Sequence, residues 1–204
     1  MYPRPRHVVA LLVVLSGLGA SGAPAANREA LKTTVLITRA FDGGFPNGPS
    51  RNAVISHDLR VASVIAYESD ASNLVRGDSN RRRDVFALRR AAPYGTNGTP
   101  WRGGATELVS RGMGGAPANG HSYGAAVDGE PPSSPSCIAF VSQASNLVPH
   151  DTNGRPDAFV YDLASTRITR VSVDSKGRQA KGSTLLTSRR QRSMRSPPAV
   201  LRPM

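Results

Sequence analysis

Residues 66–90 read AYESDASNLVRGDSNRRRDVFALRR, and residues 139–163 read AFVSQASNLVPHDTNGRPDAFVYDL. The two align without a gap at an offset of 73, with 12 of 25 positions identical. Ala71 to Val75 recurs as Ala144 to Val148, and Phe86 recurs as Phe159. Asp78, Asn80 and Asp84 recur as Asp151, Asn153 and Asp157. A turn-rich element precedes each copy, Gly44 to Ser50 and then Gly115 to Ser122, and Gly177 to Ser183 echoes it a third time after Val171-Ser172. A fixed-period repeat of this kind marks a supersecondary unit that buries its apolar face by stacking on its neighbour.

Each unit is built from short β signals between turn residues. Ala53–Ser56, Val61–Glu68, Asp84–Arg89 and Glu107–Ser110 are the expected strands of the first. Tyr123–Val127, Cys137–Ser142, Asp157–Leu163 and Ile168–Val173 are those of the second. These runs are rich in Val, Ile, Phe and Tyr, and Gly, Pro, Asn and Asp separate them. Thr34–Thr38 reads as a further strand, closing a preceding unit. No window after the N-terminal apolar run sustains a helical apolar period. Four strands per unit predict an all-β fold of β-propeller-like, antiparallel four-stranded blades. Two recognisable units fall short of the four blades that closure needs, so the expectation is an incomplete or truncated propeller. Uncovered blade faces and unpaired edges then favour self-association.

The run Ile138-Ala139-Phe140-Val141-Ser142 through Ala144-Ser145-Asn146-Leu147-Val148, Asp151-Thr152-Asn153 and Asp157-Ala158-Phe159-Val160-Tyr161-Asp162-Leu163 resembles the TolB-type, WD-like β-propeller repeat of exported bacterial proteins. The first copy carries the same pattern more loosely, and the resemblance covers about residues 33–186. It implies a noncatalytic binding or scaffold module, with an unidentified protein or envelope component as its ligand. The pattern stops after Thr187, where Ser188 to Pro198 replaces the next expected strand.

The ends of the chain read differently from the repeats. Arg4 and Arg6, the apolar stretch Val8–Leu18 and Ala23-Pro24-Ala25 compose a secretory leader over residues 1–26. Its apolar run is too short to span a bilayer comfortably, and no later segment could cross one. Export to the periplasm or the exterior follows, with the repeats at 27–187 and a basic, disordered tail at 188–204. Of the 26 basic residues 23 are Arg, and the net charge is +12. That charge raises a cationic envelope- or nucleic-acid-binding reading, yet seven of the arginines lie in the leader and tail. The body carries 19 basic against 14 acidic residues with no aromatic-interleaved basic face, which argues against nucleic acid. Cys137 is the single cysteine, so an internal disulfide is excluded; apolar neighbours predict that it is a buried small hydrophobe.

One motif points to catalysis. Gly120-His121-Ser122-Tyr123-Gly124 matches G-x-S-x-G, and Asp128 and His150 follow in the order an α/β-hydrolase-like esterase requires. The nucleophile elbow needs a buried strand before the serine and a helix after it. Here turn residues precede Gly120, and Pro131-Pro132 follows too soon for a helix. The match reads as a repeat turn. His57, His121 and His150 stand apart from one another, with no zinc spacing. The Arg81-Arg82-Arg83 triplet is flanked by acids and reads as a solvated loop before it reads as an anion site.

The acidic loops carry the remaining chemistry. Asp78, Asn80 and Asp84, and again Asp151, Asn153 and Asp157, supply three oxygen ligands each in D-x-N-x-x-x-D, the donor type that Ca²⁺ takes. The same residues also shape turns by bonding nearby backbone N–H groups. Both readings stay open from sequence. The second loop, with Gly154 and one arginine, is the better calcium candidate.

Overall fold

The computed structural model describes residues 35–57, 62–91, 101, 104–129 and 134–184. The expected leader and basic tail lie outside the described residues, as do residues 92–100 and 102–103 between β3 and β4 of the first unit.

Eight strands form two four-stranded antiparallel sheets. The first holds β1 (Ser50–Ile55), β2 (Val64–Ser69), β3 (Asp84–Arg89) and β4 (Ala105–Leu108) in that order. The second holds β5 (Ser122–Val127), β6 (Cys137–Ser142), β7 (Asp157–Asp162) and β8 (Ile168–Arg170). Each sheet is a meander of sequential neighbours, and neither closes on itself. One 3₁₀ turn, Met113–Gly115, is the only helical piece among the described residues. No helix there is long and apolar enough to cross a membrane.

The repeat is visible in the ladders. Tyr67 faces Phe86 across β2 and β3, with ring centroids 5.8 Å apart. Phe140 faces Phe159 across β6 and β7 at 5.7 Å. Such cross-strand aromatic pairs pin the register, because a one-residue slip would turn both rings to the opposite face. The first strand of each sheet is bulged at the same place, between Arg51 and Val54 and between Tyr123 and Ala126. Asn52 (φ 52°) and Gly124 (φ 69°) hold the left-handed residue of each bulge.

The sheets stack head to tail. On the first, Val64, Ala66, Val85 and Ala87 line one face; Ile65, Tyr67, Phe86 and Leu88 line the other. The Val/Ala face packs on Ile138, Phe140, Phe159 and Tyr161, which are the second sheet's counterparts of the aromatic face. Small residues against rings let the layers interdigitate. Burial on both faces makes β2 continuously buried, in contrast to the alternation of a half-solvated strand. Ile37 and Trp101 pack against the first sheet's aromatic face. Of the expected strand Thr34–Thr38, Thr34 lies outside the described residues and Val35 to Thr38 has no ladder partner among them; Ile37 instead covers the sheet face.

Polar contacts also join the sheets. Ser122 N–H donates to the Arg83 carbonyl at 2.8 Å. Arg83 N–H donates to Nδ1 of His121 at 2.9 Å, which fixes the acceptor tautomer of that ring. Tyr161 donates to Glu107 at 2.9 Å, and the Arg89 guanidinium spans from Glu107 to the Leu163 carbonyl. Burial and the Glu107 contact push the Tyr161 hydroxyl up to about 12. Cys137 is half-buried, more open than its apolar neighbours suggested.

Candidate functional site

The repeated Ala-Ser-Asn-Leu-Val motif is built into a turn clamp. Asn73 Oδ1 accepts from Asn47 N–H at 2.9 Å, and its Nδ2 donates to the Phe45 carbonyl at 3.0 Å. Asn47 in turn accepts from Ser72 N–H and donates to the Ser72 hydroxyl. In the second unit Asn146, Asn119, Pro117 and Ser145 make the same four bonds at 2.9–3.0 Å. Ala71, Leu74, Ala144 and Leu147 point inward and are buried. The motif thus fastens the turn that enters each sheet to the loop that leaves its second strand.

This clamp accounts for G-x-S-x-G. A Cβ on Gly120 would lie 2.5 Å from the Gln143 carbonyl carbon, and one on Gly48 would lie 2.7 Å from Ala71 N. The first glycine is therefore a close-approach residue. Ser122 is fully buried in β5, and its hydroxyl bonds Ser142 Oγ at 2.9 Å, as Ser50 bonds Ser69 at 2.9 Å. Asp128 accepts from Ser136 and from Cys137 N–H. Burial works to raise its pKa, but those donors outweigh it and hold the carboxyl below its ordinary value. His150 is exposed, with its carbonyl accepting from Arg170. Each of the three residues has its own partners, Ser122 in β5, Asp128 in the turn after it and His150 in the loop between β6 and β7.

The acidic loops are occupied unequally. In the second, Gln179 Nε2 donates to Asp151 Oδ1 at 2.7 Å and to Asp157 Oδ2 at 2.9 Å. Arg170 adds its charge at 3.6 and 4.0 Å from the same carboxylates. Asn153 bridges Asp157 Oδ2 and the Ala180 carbonyl, and Ser172 donates to Asp157 Oδ1 at 2.6 Å. In the first, Asp84 takes the Ser110 hydroxyl at 2.7 Å and Asn80 Nδ2 at 2.8 Å. Asp78 is buried, and neither of its carboxylate oxygens has a hydrogen-bond partner. The Asn80 backbone N–H lies near enough to favour the ionised form but short of bonding geometry. Burial raises the pKa of Asp78, and it raises Asp84 to about 6, with the charge of Asp78 adding to the effect. Asn80 and Asn153 also accept from Arg82 and Arg155 N–H at 2.8 and 2.9 Å, so both shape their loops.

The arginine triplet is dispersed. Arg81 and Arg82 are exposed, whereas Arg83 pairs with Asp70 at 3.1 Å. No group of three or more His, Cys, Asp or Glu residues arranged for a metal occurs among the described residues. A groove of about 420 Å³ runs beside the first sheet, lined in part by Arg39, Phe41, Arg76 and Trp101. Arg76 sits 4.6 Å above the Phe41 ring. Its counterpart in the second unit is lined by Arg111, Met113, Leu147 and Thr166.

Sequence reasoning missed Gln179, Arg170 and Glu68. Glu68 Oε1 accepts from Asn52 Nδ2 at 3.1 Å and from Gly124 N–H at 2.9 Å, joining the two bulges. Its signal was a carboxylate inside an otherwise apolar strand where the second copy has Val141. Comparison with family models, with curated proteins and with solved structures gives no match.

Proposed function

We propose that the chain is an exported, noncatalytic binding or scaffold module whose two stacked sheets are β-propeller blades of the TolB type. One observation carries this reading. Most of the residues common to both units are spent on contacts within the chain, in the Ser-Asn clamps, the aromatic pairs and the serine pairs. A reactive centre needs the opposite, a polar side chain held where a substrate can reach it. Ligand contacts then fall to residues that differ between units, such as Phe41, Arg76 and Trp101 beside the first sheet and Met113 and Thr166 beside the second. Specificity carried by variable surface on a fixed scaffold is the usual division of labour in such folds. Edge strands β1, β4, β5 and β8 and the exposed Phe45 and Ile55 support self-association.

The hydrolase alternative gives the test. Purified protein and its Ser122→Ala variant are compared on short-chain p-nitrophenyl esters. Equal, background rates are expected. Hydrolysis that the variant loses would overturn the reading. Export is tested separately by intact mass of envelope-fraction protein, with cleavage near Ala25 expected and full-length cytosolic protein contradicting it.

A further inference from the structure

The two acidic loops share a backbone, so the filled one shows what the other lacks. In the second unit one nitrogen, Nε2 of Gln179, lies within 2.9 Å of oxygens from both Asp151 and Asp157. The two carboxylates thus converge on a single point, and a donor stands on it. Arg170 supplies the compensating positive charge.

Equivalent backbone bonds identify what the first unit places there. Thr184 N–H bonds the Pro156 carbonyl as Ser122 N–H bonds the Arg83 carbonyl, which sets Gln179 opposite Pro117. Val171 N–H bonds the Ala158 carbonyl as Val109 N–H bonds the Val85 carbonyl, which sets Arg170 opposite Leu108. Proline has no side-chain donor and leucine has no charge. Both substitutions strip the first loop of its counter-groups while Asp78 and Asp84 remain. Asp78 is only 8% exposed, and both of its oxygens are without a hydrogen-bond partner. A buried carboxylate in that state is costly and takes up a proton, a donor or a cation.

We propose that the Asp78–Asp84 loop is a binding site for a hard divalent cation, Ca²⁺ or Mg²⁺, which takes the place that Gln179 and Arg170 fill in the second unit. Asp78 supplies two free oxygens and Asp84 its Oδ2, with water completing the shell, as cations held by only one or two carboxylates require. The neighbouring arginines do not compete for the point. Arg81 and Arg82 project into solvent, where salt screens them, and Arg83 is engaged by Asp70. This inference is independent of the proposed binding role, since it rests on the loop alone.

The test is thermal unfolding of the full chain at pH 7.5 after treatment with EDTA, with and without added CaCl₂ or MgCl₂. A ligand that binds only the folded state raises Tm. The expected result is an upward shift of a few degrees in the wild type and in Asp151→Asn, and none in Asp78→Asn. Asp78→Asn removes an unpaired buried charge and so retains the fold. Calorimetric titration of wild type against Asp78→Ser provides a second reading, with one site per chain expected and its loss in the variant. No shift in the wild type, which would mean that the carboxyl simply keeps a proton, overturns the proposal. So does a shift that survives in Asp78→Asn.

Discussion

Asn73 and Asn146 occupy one structural position twice. Each donates through Nδ2 to a carbonyl of the preceding turn, Phe45 or Pro117, and each accepts at Oδ1 from the N–H of Asn47 or Asn119. A net contribution near 1 kcal/mol per bond makes Asn146→Ala about 2 kcal/mol destabilising, or about 4–8 °C in Tm for a domain of this size. Asn73→Ala should cost a similar amount. Asn146→Asp, which keeps the acceptor and loses the donor, should fall between. Thermal unfolding monitored by circular dichroism reads all three.

Gly120 and Gly177 separate two reasons for glycine. Gly120→Ala drives a Cβ to 2.5 Å from backbone that cannot yield, whereas Gly177, at φ 73°, has open space around it. The second substitution costs about 1–2 kcal/mol in left-handed backbone strain. The first should cost more than 3 kcal/mol, or abolish soluble protein, because the clamp must open to admit it. Chemical denaturation of both variants gives the ranking; equal effects would mean that the close approach at Gly120 is absent.

Asp84 predicts a pH dependence of definite sign. Its pKa rises from 3.8 to about 6 on folding, so the native state holds the proton more tightly than the unfolded chain. The associated stability is full below about pH 4 and is lost as pH climbs through about 6, amounting to about 3 kcal/mol. Asp78 and Asp151, also raised by burial, act in the same direction. Asp128, Asp162 and Asp174 are held below their ordinary values and act in the opposite direction, at lower pH. The difference in unfolding free energy between wild type and Asp84→Asn, with chelator present, should therefore fall between pH 4 and pH 6. A flat difference would contradict it.

Much of the architecture was legible because the repeat doubles every local signal. Asp84–Arg89, Tyr123–Val127 and Cys137–Ser142 are strands over their whole expected length, the second with Ser122 added, and the remaining five shift at their ends or shorten. Ends were less legible because bulges and turn bonds decide them: β1 begins at Ser50, where the clamp delivers the chain. Ile168–Val173 shortens to Ile168–Arg170 because Val171 N–H bonds Ala158 across an irregular step. Thr34–Thr38 misled for a different reason, since an apolar run that covers a sheet face has the same composition as one inside it. The acidic loops were found by spacing alone. Their difference in occupancy was not, because Gln179 and Arg170 reach the second loop from 22 and 13 residues beyond Asp157.

Hydrogen exchange on the intact chain tests the stacked-module account most directly. One continuous core spans Val64, Ala66, Val85 and Ala87 on the first sheet and Phe140, Phe159 and Tyr161 on the second. Core strands sharing an interface open as one cooperative unit. The slowest amides of β2, β3, β6 and β7 should thus exchange with free energies within about 1 kcal/mol of one another, and Phe159→Ala should lower all four together by about 3–5 kcal/mol. Two separate plateaus, with Phe159→Ala lowering only β6 and β7, would show that the sheets are independent and would contradict the account.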